Sequence, residues 1–181
     1  MNILTTRVIR VCATALGIAI AVPALSAEQP AGEPMEKNGL EIKGVFLQAV
    51  MMEPAMTGQE AEATDIHLEA DIVALPDNDN GFVAGAWVPY LDIDYRLTSQ
   101  SGDWSHAGSL HAMVASDGPH YGANVKLDGP GEYTVTFHIR PPSVHGLMRH
   151  IDKETGVGPW WEPFTYEGSF IFVGAGKKAD Y

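Results

Sequence analysis

Residues 65–74, DIHLEADIVA, decide the fold class. Apolar and polar side chains alternate from the start of this stretch. One face carries Ile66, Leu68, Ala70 and Ile72, and the other carries Asp65, His67, Glu69 and Asp71. Alternation with a period of two predicts a β-strand that packs one face against a hydrophobic core.

Further stretches of the same kind lie on both sides of this strand, separated by turn-rich segments such as Pro76–Gly81 and Asp128–Gly131. Their spacing of roughly 8–12 residues predicts seven or eight strands in an all-β, immunoglobulin-like antiparallel β-sandwich. Residues 28–38 predict an extended lead-in, and no helical periodicity exceeds two turns. The other predicted strands are Leu40–Val50, Trp87–Leu97, Ser105–Val114, Asn124–Leu127, Glu132–Ile139, Glu162–Tyr166 and Ser169–Val173.

The N-terminus has the pattern of a secretory signal peptide. Two arginines precede the apolar run Val11–Val22, and small residues follow it up to Ala27. We expect cleavage after Ala27, with Ala24 as the alternative, so that residues 1–27 are the signal and 28–181 form one metal-binding domain. A membrane anchor is disfavoured because a spanning helix needs about 20 apolar residues.

The 181 residues contain 11 Lys+Arg, 23 Asp+Glu and one cysteine, with a formal net charge of −12. Without the signal, 154 residues remain, with a charge of −14 and no cysteine. This acidity argues against a nucleic-acid partner, which requires clustered basic residues. Without thiolates, any metal must be held by His, Met and carboxylate side chains.

The first candidate site is the pair His67 and Glu69. Side chains two apart on a strand share a face, so both point away from the apolar stripe of residues 66–72 and could approach one ion. The alternative is a solvated polar face on which the histidine is incidental.

The second candidate site joins Met113, at the end of a predicted strand, with His120, which follows the turn Ser116–Pro119. A turn can bring these two side chains together, and a thioether with an imidazole favours copper over hard ions. The alternative for Met113 is ordinary core packing.

The third candidate is the loop that carries His145, Met148, His150, Asp152 and Glu154. Loops on rigid sandwiches often bear functional residues, although a polar surface loop would have the same composition. Nucleophile, phosphate-loop and zinc-protease motifs do not occur in the sequence, so a conventional enzyme is not indicated.

The three candidates together resemble the periplasmic iron-transport proteins that accompany a high-affinity iron permease. The resemblance extends over nearly all of the chain after residue 27. It rests on the blocks Glu36–Ile42, Met52–Pro54, Thr64–Asp71, Trp87–Leu91, Met113–Asn124, His138–Pro142, Arg149–Gly158 and Trp160–Phe164.

The resemblance implies a periplasmic homodimer with a copper site close to an iron site, near the dimer interface. By position, it implies the copper ligands His67, Met113, His120 and His150, and Glu69 as a carboxylate that joins the site or turns toward iron. The chain departs from some relatives at Met148, where they carry a further histidine. This departure concerns an accessory iron contact rather than the four principal ligands.

We therefore expect a copper- and iron-binding protein that supports iron uptake and passes iron to an inner-membrane permease. Copper would have a structural role or would accept an electron from Fe²⁺. The alternatives are a periplasmic copper carrier or resistance protein without an iron role, and a sandwich with an adhesive or structural function and no metal.

Overall fold

The computed structural model describes residues 28–174, so the predicted signal peptide lies outside the described residues. Nine strands and one short 3₁₀ helix, Pro142–His145, occur in this range. The strands are β1 (Gln29–Pro30), β2 (Met35–Lys37), β3 (Leu40–Gln48), β4 (Ile66–Ala74), β5 (Asp92–Ser99), β6 (Ser105–Ala115), β7 (Gly118–Val125), β8 (Gly131–Arg140) and β9 (Phe164–Phe172).

All strand pairs are antiparallel, and the strands follow one path in the order β1-β3-β4-β7-β6-β5-β8-β9, with β2 beside β3. The path folds into two layers because β6 changes partner along its length. Residues Ser105–Leu110 pair with β5, and His111–Ala115 pair with β7. The predicted all-β antiparallel sandwich is confirmed.

The core lies between the layers and is built from the inward side chains of each strand. Ile42 pairs with Ile72 and Phe46 with Leu68 in one layer, while Tyr95 pairs with Phe137 in the other. Each of these side chains is buried. The alternation that predicted β4 therefore does separate a core face from an opposite face.

The two ends of the strand path meet, which nearly closes the sandwich. The Tyr166 hydroxyl on β9 donates a hydrogen bond to the Ala31 carbonyl, next to β1, at 3.2 Å. Gly168 lies so close to the same carbonyl oxygen that an added Cβ would collide with it. This approach shields backbone edges that would otherwise be open.

Several predicted strand boundaries were wrong. The strand predicted from Trp87 begins only at Asp92, because Tyr90 has a φ of 64° and interrupts the extended backbone. The two strands predicted near the C-terminus are one strand, β9, with Gly168 inside it.

The strand predicted at Asn124–Leu127 begins earlier, at Gly118, so His120 lies within β7 rather than after a longer turn. Pro119 is tolerated there because the pairing of β7 with β4 ends at Tyr121. The missing N–H of Pro119 therefore leaves no β4 residue without its hydrogen-bond donor.

Candidate metal centre

The candidate ligands stand on the face of one layer that points away from the core. On β4 and β7, His67 pairs with Asn124 and Glu69 with Gly122. On the next pair of strands, Met113 lies opposite His120. Three neighbouring strands thus present imidazole, carboxylate and thioether groups to one place.

This outward face is nevertheless buried, with 1% of His67, 4% of Glu69 and 6% of His120 exposed. Residues 49–65, which connect β3 to β4 and which we call the covering segment, are hydrogen-bonded to Asn124 through Val50 and Gln59. The cavity next to His67, Glu69 and His120 has a volume of about 670 Å³. On the covering segment's side, its wall is formed by Val50, Met51, Met52 and Glu53. The covering segment therefore turns an outer sheet face into an enclosed site.

The three polar side chains converge on one point. His67 Nε2 and His120 Nε2 each lie 3.5 Å from Glu69 Oε1, and the three atoms lie within 4.8 Å of one another. Neither Nε2 atom has a hydrogen-bond partner, although both are buried. Unpartnered buried nitrogens are costly, and a metal ion bound by both would satisfy them. The donor set therefore fits a metal ion.

Met113 faces the same space, which exists because residue 122 is glycine. A Cβ placed on Gly122 would lie 2.5 Å from His67 Nε2 and 3.3 Å from Met113 Sδ. The absent side chain leaves room over the strand for both donor atoms, and an ion between them would be bound by nitrogen and soft sulfur.

Burial sets the protonation of the two central groups. Desolvation lowers the pKa of His67 to about 4, against a smaller upward effect from its hydrogen bond to Asn124. Desolvation, followed by the nearby Asp71, Glu28 and Asp117 charges, raises the pKa of Glu69 to about 8. Near neutral pH, His67 is therefore neutral and ready to coordinate, whereas Glu69 holds a proton that a cation would displace.

Carboxylates extend the site beyond Glu69. Glu28, Asp71 and Asp117 line a second cavity of about 360 Å³, which Glu69 and His120 also border. Burial raises the pKa of Asp71 and of Glu28, and Glu28 also shares a hydrogen bond with Asp117. Like charges held this close favour a bound cation. Oxygen ligands of this kind suit harder ions than those that thioethers prefer.

The structure brings four of the five predicted ligands together and leaves His150 apart. The His150 side chain is 75% exposed, and its Nδ1 lies 2.7 Å from the Thr155 hydroxyl. His150 does not line either cavity at His67 and Glu69. Elsewhere on this loop, His145 lies 3.7 Å from Asp92, and Met148 is 91% exposed. Within one chain, the loop that carries His150 does not reach the metal centre. The role of His150 as a metal ligand therefore stays a prediction.

Two residues that shape the site, Asn124 and Gly122, were not predicted from the sequence to have a role there. Both occur in a block quoted for the family resemblance, but neither was assigned a role. Asn and Gly are depleted in strands, so their presence inside β7 was the available signal. The position of Glu28, the first described residue, could not be predicted, because nothing in the sequence places it beside Asp117.

Among residues 28–174, no helix is long and apolar enough to cross a membrane.

Comparisons with known proteins agree on one family. A profile described as "Fe2+ transport protein" matches residues 25–174. A UPF0423 protein of Brucella abortus is 48% identical over 169 residues, which cover 92% of this chain and 93% of the relative.

Solved structures of similar chains lead to the same family. FetP from uropathogenic Escherichia coli, recombinantly expressed in the periplasm of another E. coli strain, is 52% identical with a TM-score of 0.78. The match covers 82% of this chain and 97% of FetP. Copper-reconstituted P19 from Campylobacter jejuni is 47% identical with a TM-score of 0.80, covering 83% of this chain and 99% of P19. The chain belongs to the Fe²⁺ transport protein family and shares the fold of these solved structures.

Proposed function

We propose that this protein binds copper and iron in the periplasm and supports high-affinity iron uptake by delivering iron to an inner-membrane permease. One observation carries the proposal. Two buried imidazole nitrogens, on His67 and His120, have no hydrogen-bond partner and converge with Glu69. A site of this kind is built for a cation, and the family to which the chain belongs is one of iron transport.

Copper is the metal that the inner donor set favours. Two neutral imidazoles and the Met113 thioether suit copper in either oxidation state, whereas thioethers are poor ligands for hard ions. P19 has been solved with copper, and so has a variant of FetP. Bound copper would supply a one-electron couple next to the carboxylates. His67, Met113 and His120 would hold it, and Glu69 borders both their cavity and the acidic cavity.

Iron would be cargo rather than a resident cofactor, and the carboxylates would receive it. Glu69 borders both cavities, and Glu28, Asp71 and Asp117 supply further oxygen donors. Because Glu69 is largely protonated near neutral pH and Glu28 shares a hydrogen bond with Asp117, iron binding should release protons. The formal charge of −14 expected for residues 28–181 should also raise the local cation concentration.

A homodimer would explain the position of His150. The loop that carries it leaves Val144, Met148 and Ile151 exposed, which is unusual for three apolar side chains so near in sequence. We infer that this loop packs against a second copy of the chain, so that His150 of the partner subunit completes the copper site. The site would then hold the ligand set that the family resemblance implies.

Metal titration of the purified protein tests the proposal. Cu²⁺ should bind with one equivalent per chain, and His120→Ala should reduce that affinity by at least about tenfold. Fe²⁺ added anaerobically to the copper-loaded protein should bind, and Glu69→Gln should weaken it. Loss of the Cu(II) signal during this addition would support electron transfer from Fe²⁺. An unchanged Cu(II) signal would leave copper with a structural role.

Growth of a strain that lacks the gene separates the iron role from the alternative of a copper carrier. The proposal expects poor growth under iron limitation, restored by the wild-type gene and not by Glu69→Gln. Normal growth under iron limitation combined with copper sensitivity would contradict the proposal and favour the copper carrier. A protein that binds neither metal would leave only a structural or adhesive role.

A further inference from the structure

Asn124 is the most completely bonded polar side chain near the metal centre. It is 2% exposed and lies on β7 directly opposite His67. Its Nδ2 donates to the carbonyl oxygens of Val50 and Gln59, at 2.7 and 2.8 Å. Its Oδ1 accepts from the Val50 N–H at 3.2 Å and lies 2.8 Å from His67 Nδ1.

The backbone of the covering segment fixes which way this amide points. A carbonyl oxygen can only accept and a backbone N–H can only donate, so the Val50 and Gln59 groups leave a single orientation for the Asn124 side chain. In that orientation, Oδ1 faces His67. Because Oδ1 can only accept, His67 Nδ1 must carry the proton of the hydrogen bond.

The state of the other imidazole nitrogen follows from this. A neutral imidazole has one ring proton, so His67 Nε2 carries a free lone pair. This is the buried, unpartnered nitrogen that lies 3.5 Å from Glu69 Oε1. A hydrogen bond at one ring nitrogen commonly selects the other as metal ligand and orients the ring.

We propose that Asn124 is a positioning residue that holds His67 in the Nδ1–H tautomer, with Nε2 directed at the metal, before any metal arrives. The proposal rests on the proposed copper site and assigns the group that prepares it. Asn124 acts through its hydrogen bond to His67 and is not itself one of the proposed metal ligands. The expected effect of its loss is the 10- to 100-fold fall in metal affinity typical of such supporting groups.

Asn124 also links this ligand to the wall of the cavity. Its backbone N–H donates to Gln59 Oε1 at 3.2 Å, in addition to the side-chain bonds to Val50 and Gln59. Met51 and Met52, which directly follow Val50, line the cavity. One side chain therefore ties the covering segment to the metal ligand, so that both are positioned together.

The first test uses the metal-free wild-type protein and ¹⁵N NMR of the His67 ring. We expect a protonated Nδ1 and an unprotonated Nε2 at neutral pH. Asn124→Ala should shift the ring toward the Nε2–H tautomer and lower the affinity for Cu²⁺ by 10- to 100-fold. Because the tautomer is measured without metal, it tests the positioning role even if the copper proposal fails.

Gln59→Ala is the matched control, because it removes a contact between the same segment and Asn124 while leaving every hydrogen bond of the Asn124 side chain in place. It should keep the tautomer and change the Cu²⁺ affinity by less than about twofold. An equal loss of affinity in Gln59→Ala and Asn124→Ala would show that segment packing matters rather than the amide, and would overturn the proposal. So would an Nε2–H tautomer in the wild type, or unchanged affinity in Asn124→Ala.

Asn124→Asp keeps the proposal testable if Asn124→Ala does not fold. Aspartate still accepts from His67 Nδ1 but cannot donate to the Val50 and Gln59 carbonyls. We expect it to retain the Nδ1–H tautomer while backbone amides in the covering segment exchange with solvent at least tenfold faster. A His67 ring that changes tautomer in Asn124→Asp would contradict the role given to Oδ1.

Discussion

At the scale of single residues, the metal centre depends on what surrounds the donors as much as on the donors. Strand alternation and a short turn indicated the two pairs His67–Glu69 and Met113–His120, and the family resemblance joined the pairs in one predicted site. The roles of Gly122 and Asn124 were not predicted, since they arise from strand pairings between distant parts of the chain. A pattern in one strand does not reveal which residue of a neighbouring strand lies beside it.

Gly122→Ala should abolish or strongly weaken copper binding without unfolding the protein. The added Cβ would lie 2.5 Å from His67 Nε2, so the imidazole would have to move, while no left-handed backbone angle opposes alanine there. We expect a loss of Cu²⁺ affinity of at least about tenfold by calorimetry. Gly131→Ala is the control, because its Cβ would meet only Tyr133, at 3.8 Å. Equal affinities in the two variants would contradict the prediction.

Glu69 and His67 give the metal-free protein an unusual dependence on pH. Glu69 titrates at about 8 when folded and at 4.5 when unfolded, so between pH 6.5 and 8 the folded chain binds more protons and stability falls as pH rises. The pKa of His67 is about 4 when folded and 6.5 when unfolded, so this residue acts in the opposite direction, mainly below pH 6.5. We expect the free energy of unfolding to drop by on the order of 1–2 kcal/mol between pH 6.5 and 8.

Urea unfolding of the metal-free protein at several pH values measures this drop. Glu69→Gln should remove it, because the amide does not titrate. Saturating Cu²⁺ should also abolish it, because a bound ion keeps the Glu69 carboxylate deprotonated in the folded protein. Stability that rises from pH 6.5 to 8 in the metal-free wild type would show that Glu69 keeps its charge in the folded state.

At the scale of elements, hydrophobic alternation located most strands but misplaced those whose limits depend on backbone geometry. The left-handed Tyr90 delays β5, and Tyr121 stabilises that irregular stretch by accepting from Leu91 N–H and donating to the Val88 carbonyl. Gly168 lies within β9, although a glycine usually signals a break. Both exceptions are set by tertiary contacts that the local pattern does not contain.

Gly168→Ala should destabilise the fold and leave the metal site intact. The added methyl group would collide with the Ala31 carbonyl where the two ends of the strand path meet. We expect a loss of about 1–3 kcal/mol in denaturant unfolding, with Cu²⁺ affinity unchanged in the folded protein. Ser169→Ala, at an exposed neighbouring position, should lose less than about 0.5 kcal/mol. Similar stabilities for the two variants would mean that the β1 and β9 ends separate at little cost.

At the scale of the whole molecule, the question is whether one chain holds a complete site. His150 stays exposed and apart, and no pattern within a single sequence tells whether a residue serves its own chain or another copy. Neither strand alternation nor turn chemistry contains that information.

Mixing two inactive variants tests the homodimer. His67→Ala and His150→Ala should each bind Cu²⁺ weakly as pure proteins. If His150 serves the partner subunit, a dimer of one chain of each kind has one intact site, so subunit exchange should restore about a quarter of the wild-type sites in a statistical mixture. A mixture that gains no high-affinity site would show that His150 acts within its own chain or does not act at all. Native mass spectrometry of the mixture controls for exchange itself, because about half of the dimers should then be heterodimers.

The metal-binding side chains and the core side chains occupy opposite faces of β4. The donors on the outer face can therefore be exchanged without repacking Ile66, Leu68 or Ile72 beneath them. Replacing Met113 by a carboxylate, for example, would change the hardness of the site while the sandwich keeps its interior. The fold thus offers a modular scaffold on which metal preference can be engineered, or can diverge between relatives, independently of folding.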